Sequence, residues 1–407
     1  MRIDYKLNDK FDLSLFSAAL ILIVMGLMGI YSSTQNTPHV MLNFEKQLFS
    51  LGVGMAGLII IYFLPLNFFK VISLPTYAVS IFLLVVVLLI GKTVGGAKSW
   101  IGLGIFSFQP VELAKFASVL ALAHYLSKPN INLDNLKDIF ITLAIGLGPV
   151  PLILLEPDMG SSFVFFGFVL IILFWRGLSV FGIYVVISPV IIAISSLLGT
   201  WYFVGGAIIV LALLFYFKKD LFTSGAIMGL NLSTGFFVDY LYNFLSPHQQ
   251  KRIASFIDPM SDPLGAGYNS IQAQVAIGSG GLFGKGFLNG NQTQLQYIPE
   301  QWTDFIFCVI GEEFGFIGSV LLVFLFIVLF TRILKTAVVA KDDFFGIVLV
   351  GIFSIYFIHF IINIGMTIGI LPIIGIPLPF VSYGGSSLLI NLAMLGLVLN
   401  VYKSRII

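Results

Sequence analysis

The sequence predicts an all-α polytopic membrane protein, and three observations carry that reading. Hydrophobic residues fill 58% of the 407 positions and charged residues only 10%, against about a quarter charged in soluble domains. Apolar runs of the length a bilayer requires, about 20 residues, recur from end to end. Lys and Arg gather on alternate connections between those runs. One integral membrane domain over 1–407 follows, with no room for a large soluble domain, and a net charge of +2 gives no reason to expect nucleic acid.

The runs are 13–32, 47–64, 75–91, 110–127, 138–155, 160–175, 178–198, 201–217, 221–243, 305–331, 344–365 and 385–402. The first follows a polar N-terminus without a small-residue cleavage site, and reads as an uncleaved span rather than a signal peptide. Gly and polar residues interrupt 201–217 and 221–243, so the reading is a ten-helix core, or twelve spans with an extra hairpin at 201–243. Either parity places both termini on one side. With that side cytoplasmic, 14 of the 21 Lys and Arg residues lie there, as the positive-inside rule requires. The longest connection, 244–304, is then extracytoplasmic. Its Trp302, several Tyr and many Ile, Leu and Phe predict short segments folded back onto the membrane surface rather than disorder. The lone cysteine, Cys308, excludes an intrachain disulfide and a Cys-based metal site.

The chain is organised around Gln294-Leu-Gln-Tyr-Ile-Pro-Glu-Gln-Trp-Thr-Asp304, a polar loop running into an apolar helix. Asp304 stands at the junction, where an ionisable group is costly; the plain alternative is an N-cap. By helical phase Asp304, Cys308, Gly311 and Gly315 share a face, leaving room for a ligand or a close helix. Elsewhere on the outer side, Gly95-Gly-Ala-Lys98-Ser-Trp100 offers a Gly-rich backbone with Lys98 for a phosphate, or simply an interfacial Trp100 with a snorkelling lysine. Glu112 and Lys115 are three apart on a helix opened by Pro110 and can pair. Glu156-Pro-Asp158 offers oxygen ligands for Mg²⁺ or Ca²⁺, or a cap for the next helix. Lys251, Arg252 and Lys285 are the only Lys and Arg of the long loop, and an arginine fork suits phosphate oxygens. Gly278-Ser-Gly-Gly-Leu-Phe-Gly-Lys285-Gly286 fails the nucleotide-loop pattern and reads as a tight turn that lets backbone approach a neighbour. Glu312 and Glu313, deeper in the span, must be paired or protonated. The Pro/Gly-rich segment 371–387, with Ser382, cannot be helical throughout, which at membrane depth implies a buried or cavity-lining backbone. One polar cavity open to the outside accounts for these groups together.

Several of these motifs resemble one family. They are Asp258-Pro-Met-Ser-Asp-Pro-Leu-Gly-Ala-Gly-Tyr268, Ile277-Gly-Ser-Gly-Gly-Leu-Phe-Gly-Lys-Gly286, Pro299-Glu-Gln-Trp-Thr-Asp-Phe-Ile-Phe307, Glu312-Glu313 and Pro377-Leu-Pro-Phe-Val-Ser-Tyr-Gly-Gly-Ser386. The sequence is similar to the shape, elongation, division and sporulation (SEDS) family over nearly its whole length, nearer to the RodA branch than to the FtsW branch. The resemblance implies a peptidoglycan glycosyltransferase that polymerises lipid II at the outer face of the cytoplasmic membrane during elongation. It implies a class B penicillin-binding protein as transpeptidase partner, alongside other elongation-complex membrane proteins. It places the essential aspartate on Asp304 and the substrate-binding set on Lys98, Trp100, Glu112, Lys115, Asp158, Arg252, Lys285, Glu300 and Ser382. Two positions depart from the pattern: Ser99 stands where relatives often have Arg, and Trp302 where they often have His.

The residues suit that chemistry. A sugar hydroxyl attacking the anomeric carbon of a lipid pyrophosphate needs a general base, and the departing pyrophosphate needs positive charge. Asp304 is the expected base. Arg252, Lys115, Lys98 or a divalent cation (Mg²⁺ or Mn²⁺) would neutralise the leaving group. The alternatives are a lipid II flippase, which also needs charged groups at a cytoplasmic opening, and a scaffold, which leaves the outer cavity without a purpose.

Overall fold

The computed structural model describes residues 10–36, 38–94, 97–103, 106–133, 135–217, 221–244, 250 and 267–405. Each of the twelve apolar runs coincides with helix. The first three are α1 (Leu13–Thr34), α2 (Pro38–Phe63) and α3 (Leu66–Ile90, with Pro75 inside it). Then come α4 (Pro110–Leu126), α5 (Leu136–Leu147) with α6 (Val150–Leu155), and α7 (Met159–Trp175). Next are α8 (Val180–Leu198), α9 (Thr200–Phe217) and α10 (Leu221–Phe244). After α11 (Tyr268–Ser279) and the short α12 (Asn291–Gln294), the last three are α13 (Ile306–Val338), α14 (Asp343–Thr367) and α15 (Gly385–Ser404). Among the described residues nine helical segments are long and apolar enough to cross a membrane. The run at 138–155 is broken where Gly148 and Pro149 separate α5 from α6. Helices α2 and α3 begin earlier than hydropathy alone indicates, because their N-terminal parts carry charged residues, Glu45 and Lys46 in α2 and Lys70 in α3.

Composition does not reveal one feature of the connection between α3 and α4. Residues 92–108 form a small antiparallel sheet of β1 (Lys92–Val94), β2 (Ala97–Leu103) and β3 (Phe106–Phe108). Trp100 pairs with Lys92 across β1 and β2, and Ile101 with Phe108 across β2 and β3. Alternation over so few residues is too short to read as strand.

Helices α1–α7 and α13–α15 share one apolar core. The central helix α14 packs on α4, α7 and α13, while α2 packs along α15 and α1 along α13. The hairpin at 201–243 is two real helices, and they build a separate core with α8 around Tyr184, Ile192, Val210, Leu214 and Ile227. Polar ties inside this unit are Asn231 Nδ2 to Ser188 Oγ at 3.0 Å and the Tyr184 hydroxyl to the Val210 carbonyl at 2.7 Å.

Chain direction fixes the two ends of the bundle. Asp12 caps α1 through Leu15 N (3.0 Å) and pairs with Arg332 near the end of α13 (2.7 Å). Arg332 also reaches Tyr402, near the end of α15. Asp304 precedes α13 and therefore lies at the opposite end.

The described part of the long connection folds onto that opposite end, as its composition predicts. Helix α11 packs on α13. The turn at 280–286 then docks where α13 kinks at Gly315 (φ 66°, ψ −159°). The kink frees backbone groups that the turn satisfies: Lys285 N and Gly286 N donate to the carbonyls of Glu312 and Glu313 (3.0 Å each), and Phe316 N donates to the Gly281 carbonyl (2.9 Å). A Cβ on Gly315 would meet Gly284 N at 2.2 Å, so both the positive φ and the close approach require glycine. The Gly-rich run is thus a turn against a neighbouring helix, as its glycines predict.

Glu312 anchors the same loop. It is fully buried and accepts from Lys285 Nζ (2.8 Å), Gln292 N (2.9 Å), Thr293 N (2.9 Å) and Thr293 Oγ1 (2.8 Å). Glu313 binds Ser32 Oγ and lies 3.4 Å from Gln294 Nε2, joining the loop to α1. Removing one partner of a buried pair strands the other, at a cost of about 3 kcal/mol. Glu312→Ala is therefore expected to lower the thermal midpoint sharply in detergent, and Lys285→Met in the same chain to cost less than the two single changes added. Strict additivity in that double-mutant cycle would show that the contact does not hold the loop.

Candidate active site

Asp304 is not an N-cap. Phe305 occupies that position without a side-chain capping bond, and Asp304 precedes it in the loop. It therefore falls outside the helical phase that Cys308, Gly311 and Gly315 share. The small residues below it receive protein: Gly311 packs against Ile277 of α11, and Gly280 against the Gly311 carbonyl. Asp304 itself is partly exposed, between buried Gln301 and buried Phe305.

Its position is set by the segment 371–384, which is non-helical as its Pro and Gly content predicts. A Cβ on Gly375 would lie 3.1 Å from Asp304 Oδ2, so the carboxylate faces the open side of that glycine. Asn363 of α14 is buried and donates through Nδ2 to both the Asp304 carbonyl (2.9 Å) and the Ile376 carbonyl (2.7 Å). Ser382 Oγ donates to the Thr303 carbonyl (2.6 Å) and accepts from Leu378 N (2.8 Å), while Tyr383 N donates to the Trp302 carbonyl (2.8 Å). Ser382 is thus a strut between the two segments. From the other side, a Cβ on Gly160 at the start of α7 would meet the Gly375 carbonyl at 3.3 Å, which brings the 156–160 turn next to Asp304's loop.

The remaining predicted residues fall into two groups. Glu112 and Lys115 pair at 2.8 Å, both nearly inaccessible. His359 completes the group. Its Nδ1 lies 2.9 Å from the Pro377 carbonyl, which can only accept, so that nitrogen carries the proton. Nε2 then accepts from Lys115 Nζ at 3.0 Å. The cluster connects to Asp304 through the 371–384 backbone and through α14, where Asn363 follows His359 by four residues. Lys98 bonds the carbonyls of Leu88 and Leu89 (2.8 and 3.0 Å), capping α3. Lys285 is held by Glu312. Asp158 caps α7 through Ser161 N at 2.9 Å and Ser161 Oγ at 2.8 Å. Glu300 is exposed with a positive φ of 53° in the loop before Asp304, and Trp100 is half-buried on β2. Arg252 lies outside the described residues. Among the described residues no group of three His, Cys, Asp or Glu side chains is placed to hold a metal ion.

His359 and Asn363 escape a reading based on motifs, although the signal is present: two polar side chains four residues apart in an otherwise apolar span.

The chain matches the profile of the FtsW, RodA and SpoVE family of cell cycle proteins over residues 12–197 and 178–406. It belongs to that family. A relative, the peptidoglycan glycosyltransferase MrdB of Escherichia coli (strain K12), is 33% identical over 395 residues, covering 97% of this chain and 94% of the relative. The peptidoglycan glycosyltransferase RodA of Treponema pallidum (strain Nichols) is 34% identical over 427 residues, covering 97% and 98%. A solved structure described as "Structural coordination of polymerization and crosslinking by a peptidoglycan synthase complex" superposes with a TM-score of 0.72 at 28% identity, covering 97% of this chain and 98% of that one. The two profile matches overlap at 178–197, largely on α8, which α9 and α10 follow in the chain. The chain is a multi-pass membrane protein of the FtsW/RodA/SpoVE family, with a helical bundle like that of its solved relatives.

Glu156, in the connection before α7, is fully buried with neither carboxylate oxygen hydrogen-bonded. Burial first, and then the neighbouring Asp158, push its pKa up from 4.5 to about 8. Below pH 4.5 the carboxyl is protonated in folded and unfolded chains alike; between 4.5 and about 8 only the folded chain keeps the proton. This residue's contribution therefore falls as pH rises through that window and levels off above it. Relative to a Glu156→Gln variant, the wild-type thermal midpoint is expected to drop between about pH 5 and about pH 8. Parallel profiles for the two proteins would show that Glu156 titrates normally.

Proposed function

We propose that this chain is a peptidoglycan glycosyltransferase that polymerises lipid II at the outer face of the cytoplasmic membrane, with Asp304 as general base. The observation that carries the reading is the placement of Asp304: a partly exposed carboxylate at the junction of loop and span, fixed through Asn363 and the 371–384 segment. The named activity of the relatives, at 33% and 34% identity over almost the whole chain, supports the same class of enzyme.

In the proposed step the acceptor's 4-hydroxyl gives its proton to Asp304 as its oxygen bonds the donor's anomeric carbon. The bond from that carbon to the pyrophosphate oxygen breaks, and the lipid pyrophosphate departs with the electron pair. A single displacement inverts the α linkage to β. The leaving group needs positive charge. Lys98, Lys115 and Lys285 are engaged by the protein's own carbonyls and carboxylates, which makes Arg252 and Lys251 the first candidates, with a substrate-bound Mg²⁺ or Mn²⁺ as an aid. The end carrying Asp12 and Arg405 is taken as cytoplasmic, with both termini there. A class B penicillin-binding protein is the proposed transpeptidase partner, among other membrane proteins of an elongation complex. The neighbouring solved complex, whose description couples polymerization to crosslinking, supports a partner of that kind.

Purified lipid II supplied to the protein in vesicles tests this. Wild type is expected to form glycan polymer, and Asp304→Ala and Asp304→Asn to lose it by about 100-fold or more while keeping the wild-type thermal midpoint. A folded Asp304→Ala protein polymerising at the wild-type rate would remove the carboxylate from this role. Lipid II translocation without polymer would turn the assignment to a transporter.

A further inference from the structure

At the end of the bundle away from Asp304, a cavity of about 480 Å³ lies at the last turns of α13 and α15. Arg332, Lys335, Val338, Val339, Tyr402 and Arg405 line it, with Leu334 and Thr336. Its charge is not balanced from within. Asp12 takes Arg332 Nε at 2.7 Å, and its other oxygen caps α1. Asp342 and Asp343, after α13, are paired with Lys70 and Arg176. Among the described residues no carboxylate pairs with Lys335 or Arg405.

The two arginines are organised around one ring. The Arg405 guanidinium carbon lies 3.4 Å from the centre of Tyr402 and that of Arg332 lies 5.8 Å from it. Stacking uses the face of a guanidinium and leaves its N–H edge for an acceptor. Arg332 additionally places an Nη2 3.4 Å from the Tyr402 hydroxyl. The rim is apolar: Val338 and Val339, at the last turn of a membrane-spanning helix, are 69% and 52% exposed. A compact anion would need only the cations; the apolar rim suits an anion carrying acyl chains.

We propose that this cavity binds the phosphate group of an anionic phospholipid, held between Lys335 and the Arg332–Tyr402–Arg405 stack. Basic pockets at the ends of membrane helices recognise such headgroups, each cation adding about 1 kcal/mol of attraction, or about fivefold in affinity. The site lies at the other end of the bundle from Asp304 and does not depend on the glycosyltransferase reading.

The test titrates short-chain phosphatidylglycerol into the full chain in zwitterionic detergent and counts retained lipid by native mass spectrometry. Wild type is expected to retain one lipid specifically. Lys335→Gln and Arg405→Gln should each weaken retention about fivefold and the double variant about 25-fold. Lys137→Gln, which removes an exposed lysine elsewhere at the same end, should leave retention unchanged. Equal retention by wild type and the double variant, or an equal loss in Lys137→Gln, would overturn the proposal. So would equal retention of phosphatidylcholine, or displacement by inorganic phosphate at the same concentration, which would mark a site for free anions. The wild-type competition between phosphatidylglycerol, phosphatidylcholine and inorganic phosphate decides between these outcomes even if the double variant does not fold.

Discussion

A stretch of backbone that is not helical and yet lies buried among membrane helices must have its N–H and C=O groups satisfied by protein. Residues 371–384 are that stretch, and the helices around them supply the partners. His359 donates to Pro377 and Asn363 to Ile376. Gln47 accepts from Gly384 N at 3.1 Å and reaches the Ser382 carbonyl at 3.3 Å. Ser386 donates to the Ser107 carbonyl of the small sheet and accepts from Gln109 N. Side chains from α2 and α14 thus hold one irregular strand, and that strand holds Asp304. The acid is positioned by satisfied backbone rather than by a helix of its own.

The electrostatic design follows the same logic. A charge inside the bundle is tolerated best with a partner, and two buried carboxylates have a lysine each: Glu112 with Lys115 and Glu312 with Lys285. Both pairs fix elements that border the site, the first through His359 and the second through the loop that runs on to Gln301 and Asp304. Glu156 departs from this rule and instead keeps its proton. These groups shape the site, while the carboxylate beside Gly375 is partly exposed.

Much of this is legible in the sequence, and the limits are physical. Hydropathy locates twelve helical stretches because bilayer thickness leaves a long signal, but it places the starts of α2 and α3 late, since the charged residues in their N-terminal parts weaken that signal. The junction at Asp304 is readable as a costly acid at a membrane edge, and the Pro/Gly segment as backbone that cannot coil. Lys98, Lys285 and Asp158 illustrate what a sequence withholds: it shows a charge, not the carbonyl, carboxylate or helix end that engages it. His359 and Asn363 are visible as polar residues in an apolar span, yet their importance emerges only when Pro377, Ile376 and Asp304 come within reach. The sheet at 92–108 is too short for periodicity to reveal.

Buried backbone partners, then, and not local helix geometry, place the acid. Asn363 bears most of that burden, because one amide bridges the carbonyls of Asp304 and Ile376. The decisive measurement is the lipid II polymerisation rate of Asn363→Leu beside its thermal midpoint, alone and combined with Asp304→Ala. The expected protein still folds, polymerises at least about tenfold more slowly, and loses nothing further on top of Asp304→Ala. Wild-type polymerisation by a folded Asn363→Leu protein would contradict this placement of the acid.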